Sequence, residues 1–133
     1  MPAKKTIEKA RQDAREGKAP TTQAGEFVRE EIEDIREGKH GARSTKQAIA
    51  IGLSKARRAG VKLPPPAEGQ ATERTRKQAE RDYRKGQAKP ASKPSPKRSR
   101  ATLAALKRED RSVASKQALS RQSKQAARKR RQS

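Results

Sequence analysis

The fold of this chain is decided by residues 23–60, which read QAGEFVREEIEDIREGKHGARSTKQAIAIGLSKARRAG. In the first half, apolar side chains recur at steps of four, four and three residues, the spacing of one face of an α-helix. This pattern predicts an amphipathic helix over residues 23–37, with carboxylates on its opposite face. The apolar stripe consists of Ala24, Val28, Ile32 and Ile35, with Phe27 beside it.

The second half of the stretch begins with a capping signal and predicts a helix over residues 44–59. Ser44 and Gln47 match a capping box, in which the two side chains bond backbone amides at the helix start. Gly38 and Gly60 follow the two helices, where the chain needs a residue that tolerates positive φ. One alternative stays open, because residues 49–53 also alternate like a strand (Ile49, Ile51, Leu53).

A connection of about six residues makes the two helices antiparallel neighbours, or an angled pair like a helix-turn-helix. The expected fold class is therefore mainly α: a short antiparallel helical hairpin with a basic, largely disordered C-terminal tail. The expected segments are a polar N-terminal helical arm (1–20), the hairpin core (21–66), a charged marginal helix (67–85) and a disordered or conditionally helical basic tail (86–133). Helix-permissive stretches outside the hairpin are residues 3–16, 68–85, 101–110 and 112–131.

Composition limits the size of the core. Leu, Ile, Val and Phe together number 14 of 133 residues, below the roughly 20% at which a highly charged chain is usually disordered. A hairpin with so small a core favours a homodimer, because pairing would bury the apolar stripes. The absence of Cys excludes a disulfide framework and thiolate sites, and no apolar run is long enough to predict a membrane span.

Charge indicates the class of partner. Residues 86–133 carry fifteen Lys or Arg and two acids, so this tail holds +13 of the net +21. Such a segment binds a polyanion or stays solvated, and neutralising phosphates releases counterions. DNA is the expected partner and RNA the second candidate. The tail residues expected to bind are Lys97, Arg98, Arg100, Lys124, Arg128, Lys129, Arg130 and Arg131.

A second basic surface is predicted within the hairpin. It comprises Arg43, Ser44, Lys46, Lys55, Arg57 and Arg58. In one interpretation, the helix start at Ser44 binds one phosphate and the Arg57–Arg58 pair binds another. In the other, the two arginines cap the helix and pair with acids of the first helix, namely Glu30, Asp34 or Glu37.

Catalytic and metal sites are not expected. His40 is the only histidine, and it lies in the polar turn Gly38-Lys39-His40-Gly41. A histidine in such a turn is typically solvated or caps a helix. The acids of residues 26–37 form a helical ladder without the loop geometry of calcium sites. The prediction is a protein that is not an enzyme and has no cofactor and no metal.

Two resemblances add to this interpretation. Ser95-Pro96-Lys97-Arg98 resembles the Ser-Pro-basic-basic turns in the tails of linker histones. The segments 23–31, 38–44 and 46–60 resemble a family of small basic bacterial proteins of unknown function, loosely labelled DNA-binding or plasmid-stabilisation proteins. That resemblance covers about residues 1–66. It implies a bacterial origin and no catalytic residue, and it suggests that His40-Gly41 and residues 43–58 are the part to probe.

The predicted function is largely sequence-independent DNA binding by a cytoplasmic, nucleoid-associated, linker-histone-like protein. In an alternative, the acidic helix 23–37 holds a protein partner while the tail tethers the pair to nucleic acid or to the ribosome. In a third interpretation, the acidic helix masks Arg57 and Arg58 until DNA displaces it.

Overall fold

The computed structural model describes residues 3–88 and 96–132 and is mainly α, as predicted. Over those two ranges there is no strand, only an isolated bridge between Glu68 and Ala71. Residues 49–53 are helical, so the strand alternative is wrong. The helices are α1 (Lys4–Arg15), α2 (Pro20–Arg36), α3 (Thr45–Arg58), α4 (Glu73–Gln87), α5 (Pro96–Lys107) and α6 (Lys116–Gln132), with a 3-10 turn at Ser112–Ala114.

Helices α1, α2 and α3 are each followed two residues later by a glycine, and two of these, Gly38 and Gly60, are the ones marked from the sequence. Gly17, Gly38 and Gly60 have φ values of +76°, +83° and +102°. A side chain on any of them would be strained in this left-handed region, so glycine stops each helix at low cost. Among the described helices, none combines the length and apolar content that crossing a membrane requires.

The chain divides into two compact units. The first combines the described residues up to Glu30 with residues 51–88, and the second combines Glu31–Ala50 with residues 96–132. In the first unit Phe27 is 1% exposed and lies in a core with Val61, Leu63 and three alanines, Ala10, Ala24 and Ala56. Because half of this core cluster is alanine, it buries little apolar area, as the composition predicts.

Helices α2 and α3 approach closely within the first unit. A Cβ atom added at Gly52 would lie 2.7 Å from the Cα of Val28 and 2.9 Å from its Cγ2. Real side chains do not tolerate such distances, so the two backbones meet here only because residue 52 has no side chain. The glycine thus serves packing rather than an unusual backbone conformation.

The described part of the C-terminal tail is helical, which differs from the largely disordered tail that its charge suggests. In the second unit the amide of Gly41 donates to Leu106 O at 2.7 Å, and the amide of Ala42 donates to Asp110 O at 2.9 Å. Arg111 also donates from Nε to Ile35 O at 3.3 Å, at the carboxyl end of α2. These hydrogen bonds anchor the tail, and a charge count does not detect them.

Candidate nucleic-acid interface

One face of helix α6 packs against the rest of the second unit. Ser115 caps its start, since Ser115 Oγ accepts from the amide of Ala118 at 3.1 Å. Side chains spaced three and four apart then form a half-buried stripe along the helix. They are Ala118, Leu119, Gln122 and Ala126.

The other face of α6 carries a row of exposed cations, here called the basic face. Its members are Arg121, Lys124, Arg128 and Arg131. At about 100° of rotation per residue they fall within an arc of about 80° and span about 15 Å of helix. The sequence contains no Asp or Glu from Arg111 onward. This face is therefore a concentrated positive charge with no carboxylate on its own helix.

An open hollow of about 260 Å³ adjoins the basic face. It is lined by Arg121, Gln125, Ser112 and Thr45, among others. Thr45 is already engaged, because its Oγ1 donates to Val113 O. The hydroxyl of Ser112 is engaged too, because it donates to Asp110 Oδ2 at 2.6 Å. The groups of the hollow that suit phosphate oxygens are therefore the guanidinium of Arg121 and the amide of Gln125.

The tail residues named from sequence are exposed in the structure. Lys97, Arg98 and Arg100 lie on α5, and Lys129 and Arg130 lie on α6 away from the basic face. Lys124, Arg128 and Arg131 belong to the basic face itself. Ser95 of the linker-histone-like tetrapeptide lies outside the described residues.

Arg121 was missed by sequence reasoning, although a signal for it was present. It continues the spacing of Lys124, Arg128 and Arg131 by one step of three. The run 121, 124, 128, 131 is a helical stripe of cations, the charged counterpart of the apolar stripe in residues 23–37. Charge totals alone do not separate such a stripe from scattered cations.

Arg57 and Arg58 are structural in this fold. Arg57 is 7% exposed and donates to the carbonyl oxygens of Leu63 at 3.2 Å and Pro64 at 3.1 Å. Burial lowers the pKa of Arg57 below its ordinary value. Arg58 donates from Nε to Asp82 Oδ1 at 2.8 Å. Their observed partners thus come from residues 63–64 and α4, rather than from the α2 acids considered above.

The remaining predicted residues lie around the start and end of α3. Ser44 Oγ accepts from the amide of Gln47 at 3.0 Å, and Gln47 Oε1 accepts from the amide of Arg43 at 2.6 Å. The capping box therefore forms with one difference: Gln47 accepts from the amide of Arg43 and not from the amide of the cap residue, Ser44. Lys46 is exposed and Lys55 is half-buried. The hydroxyl of Ser44 is occupied as a helix cap.

Helix α4 in the first unit provides a natural comparison, here called the α4 face. It consists of Arg74, Lys77, Arg81 and Arg84, four exposed cations with the same spacing as the basic face. Unlike α6, α4 contains carboxylates on adjacent positions, and Arg84 Nη2 lies 3.9 Å from Glu80 Oε2. The two rows therefore contain the same number of cations, but the local net charge is more positive on α6 than on α4.

Comparison with known proteins agrees with an uncharacterised family. A family model described as "Family of unknown function (DUF6496)" matches residues 23–66, about a third of the chain. No curated protein matches the chain, and no solved structure does. The DNA-binding label and the bacterial origin implied by the earlier resemblance stay predictions.

Proposed function

We propose that this protein binds DNA without enzymatic activity and largely without sequence preference, through the basic face of α6. The observation that carries this proposal is the row of four exposed cations on a helix that has no carboxylate. The proposed setting is the bacterial cytoplasm, in association with the nucleoid.

Physical chemistry favours a duplex as the ligand. A major groove about 12 Å wide admits an α-helix, and long Lys and Arg side chains reach the phosphates on either side. Each neutralised phosphate releases counterions, which gives affinity without a base-specific pocket. Exposed, flexible cations position a protein on DNA but do not identify bases, so binding is expected to be largely independent of sequence.

We assign α5 and α6 together to the linker-histone-like arm. Lys97, Arg98 and Arg100 are exposed on α5 and add three positive charges to those of α6. Arg43 and Lys46 are exposed and contribute in this proposal as auxiliary phosphate contacts. Arg57 is left out because its guanidinium is buried on carbonyl oxygens.

We further propose that residues 21–66 form an antiparallel hairpin and that two hairpins pair. The close approach of Gly52 to Val28 supports the hairpin. The alanine-rich core supports pairing, since a second copy would bury additional apolar area. Sedimentation analysis tests the dimer. At micromolar concentration the sedimenting species should have twice the mass of the monomer.

The alternative, a protein partner held by the acidic helix, is less well supported. Most acids of residues 26–37 already contact groups of their own unit. Glu26 pairs with Lys9, Glu30 accepts from the amide of Ala3, Glu31 faces His40, and Asp34 and Glu37 pair with Lys39. These contacts use the charges that a docking partner would need. The third interpretation is also less well supported, because Arg57 and Arg58 donate to residues 63–64 and to Asp82 rather than to acids of α2.

The proposal is tested by salt-titrated binding of the full-length protein to duplex DNA, single-stranded DNA and structured RNA. Neutralising about 6–10 phosphates predicts a loss of roughly 10³–10⁵ in duplex affinity between 50 and 200 mM salt. A flat salt dependence, or clear preference for RNA at 150 mM salt, would contradict the proposal. A stoichiometric protein partner recovered after nuclease treatment would favour the alternative.

A further inference from the structure

Two arginines join the carboxyl end of α2 to the segment that precedes α6, and each caps backbone carbonyl groups of the other side. Arg111 donates from Nε to Ile35 O at 3.3 Å and from Nη2 to Arg36 O at 2.9 Å. In return, Arg36 donates from Nε to Ala114 O at 2.8 Å. The last carbonyl groups of a helix lack partners within the helix and carry partial negative charge, so a guanidinium suits them. Arg36 and Arg111 are here called the arginine clamp.

Two glycines of the turn after α2 make room for the segment 106–114. A Cβ atom added at Gly38 would lie 3.1 Å from Cζ of Arg111. A Cβ atom added at Gly41 would lie 2.0 Å from the carbonyl oxygen of Glu109. A backbone group cannot move aside as a flexible side chain can, so this close approach requires glycine at position 41. The segment 106–114 is therefore seated on the turn and is not merely adjacent to it.

The clamped segment leads directly into α6. Ala114 is 0% exposed, and the next residue, Ser115, caps the start of the helix. Just before them, Val113 O accepts from the hydroxyl of Thr45 at the start of α3. The backbone of residues 113 and 114 is thus bonded to the rest of the second unit. These bonds fix where α6 begins and hence where its basic face lies within that unit.

We propose, on the basis of the proposed function, that Arg111 and Gly41 are positioning residues of the DNA interface. They seat the segment before α6, and this seating holds the basic face ready for a duplex. A surface that is already in place loses less conformational entropy when it binds. Arg111 itself makes no DNA contact in this arrangement, because its Nε and Nη2 already donate to carbonyl groups of α2.

Gly41→Ala tests the seating without changing any charge. In the full-length protein it is expected to weaken duplex binding at fixed salt by about tenfold or more, because only the seated fraction presents the basic face. The log–log salt slope is expected to stay the same, since it counts the phosphates that are neutralised. Gly25→Ala is the control, because an added Cβ there meets nothing within 4 Å. Parent-like affinity in Gly41→Ala would overturn the proposal.

Arg111→Gln separates positioning from direct contact. It is expected to weaken duplex binding by about tenfold with an unchanged salt slope. Arg108→Gln removes the same charge from an exposed position of the same segment and is expected to change the affinity by less than about threefold. A slope that falls by about 0.9 in Arg111→Gln would identify Arg111 as a phosphate contact and overturn its positioning role. Equal effects of the two substitutions would also overturn it.

Hydrogen exchange in the free, full-length protein distinguishes a failure of the seating from a failure of DNA binding. The amides of Gly41 and Ala42 donate to residues 106 and 110, so they should exchange slowly in the parent and faster in Arg111→Gln. Rapid exchange of both amides in the parent would overturn the seating, whatever the protein binds. Slow exchange in a parent that does not bind duplex DNA would overturn the proposed function, and with it the positioning role, and would leave the clamp as a purely structural contact.

Discussion

The carboxylate of Asp82 accepts a 2.8 Å hydrogen bond from Nε of Arg58, a residue whose charge suggests a phosphate contact. Asp82 is 1% exposed and also accepts from Ser54 Oγ at 2.7 Å and from Gln78 Nε2 at 3.2 Å. This buried carboxylate therefore links the last turns of α3 to α4. It gives Arg58 a structural role in the first unit.

Replacing Asp82 by Ala should destabilise the protein by about 1–3 kcal/mol or more, because the donors it satisfies lose their acceptor. Chemical denaturation measures the change. Glu80→Ala is the control, since Glu80 is exposed on the same helix and its ion pair with Arg84 is worth at most about 1 kcal/mol. Equal effects of the two substitutions would contradict the role assigned to Asp82.

Gly52→Ala should destabilise the protein by about 1–3 kcal/mol, because the new methyl group overlaps the backbone of Val28. Gly25→Ala is a matched control on α2, where an added Cβ meets nothing within 4 Å. The control should be neutral or stabilising by up to about 1 kcal/mol. Thermal unfolding of both variants checks the prediction, and a neutral Gly52→Ala would argue against the close approach of α2 and α3.

Arg57→Ala should lower the free energy of unfolding by about 1–3 kcal/mol, because the buried carbonyl oxygen of Leu63 and the part-buried one of Pro64 lose their donor. It should leave the salt dependence of DNA binding unchanged under conditions where the variant is folded. Arg43→Ala, at an exposed position, should have little effect on stability. A reduced salt slope in folded Arg57→Ala would show that Arg57 takes part in DNA binding.

Asp110 provides a pH-dependent contact in the tail. Hydrogen bonds from the hydroxyl and amide of Ser112 hold the pKa of Asp110 below its ordinary value of 3.8. The ionised carboxylate therefore stabilises the turn above that value, and the contribution is lost as the pH falls through the lowered pKa. Ser112→Ala should raise the pKa of Asp110, measured by NMR titration of its carboxyl carbon. An unchanged pKa would show that Ser112 is not its cause.

The helices were predictable because their signals are local. The stripe of Val28, Ile32 and Ile35 and the serine at position 44 act over one or two turns of chain. Helix α2 nevertheless begins at Pro20, before the predicted start, because proline fits the first turn of a helix, where its missing N–H is not needed.

The roles of the cations were harder to predict because their hydrogen-bond partners can lie far away in the sequence. Arg58 and Asp82 are 24 residues apart, and Arg111 reaches Ile35 across 76 residues. These two arginines are exposed, and sequence charge alone does not show that their guanidinium groups are already hydrogen-bonded within the fold. The prediction that His40 is solvated was wrong for a similar reason, since a lone histidine in a polar turn gives no sign that it is only 7% exposed.

The account's central claim is that the basic face of α6 contacts DNA. The most direct test is the salt dependence of duplex binding by two full-length variants with verified helical content. One replaces Arg121, Lys124, Arg128 and Arg131 with Gln, and the other replaces the four cations of the α4 face. The account predicts that the α6 variant loses about 3–4 units of log–log salt slope, at about 0.9 per phosphate, and that the α4 variant loses less than about one. Equal losses, or a larger loss in the α4 variant, would contradict it.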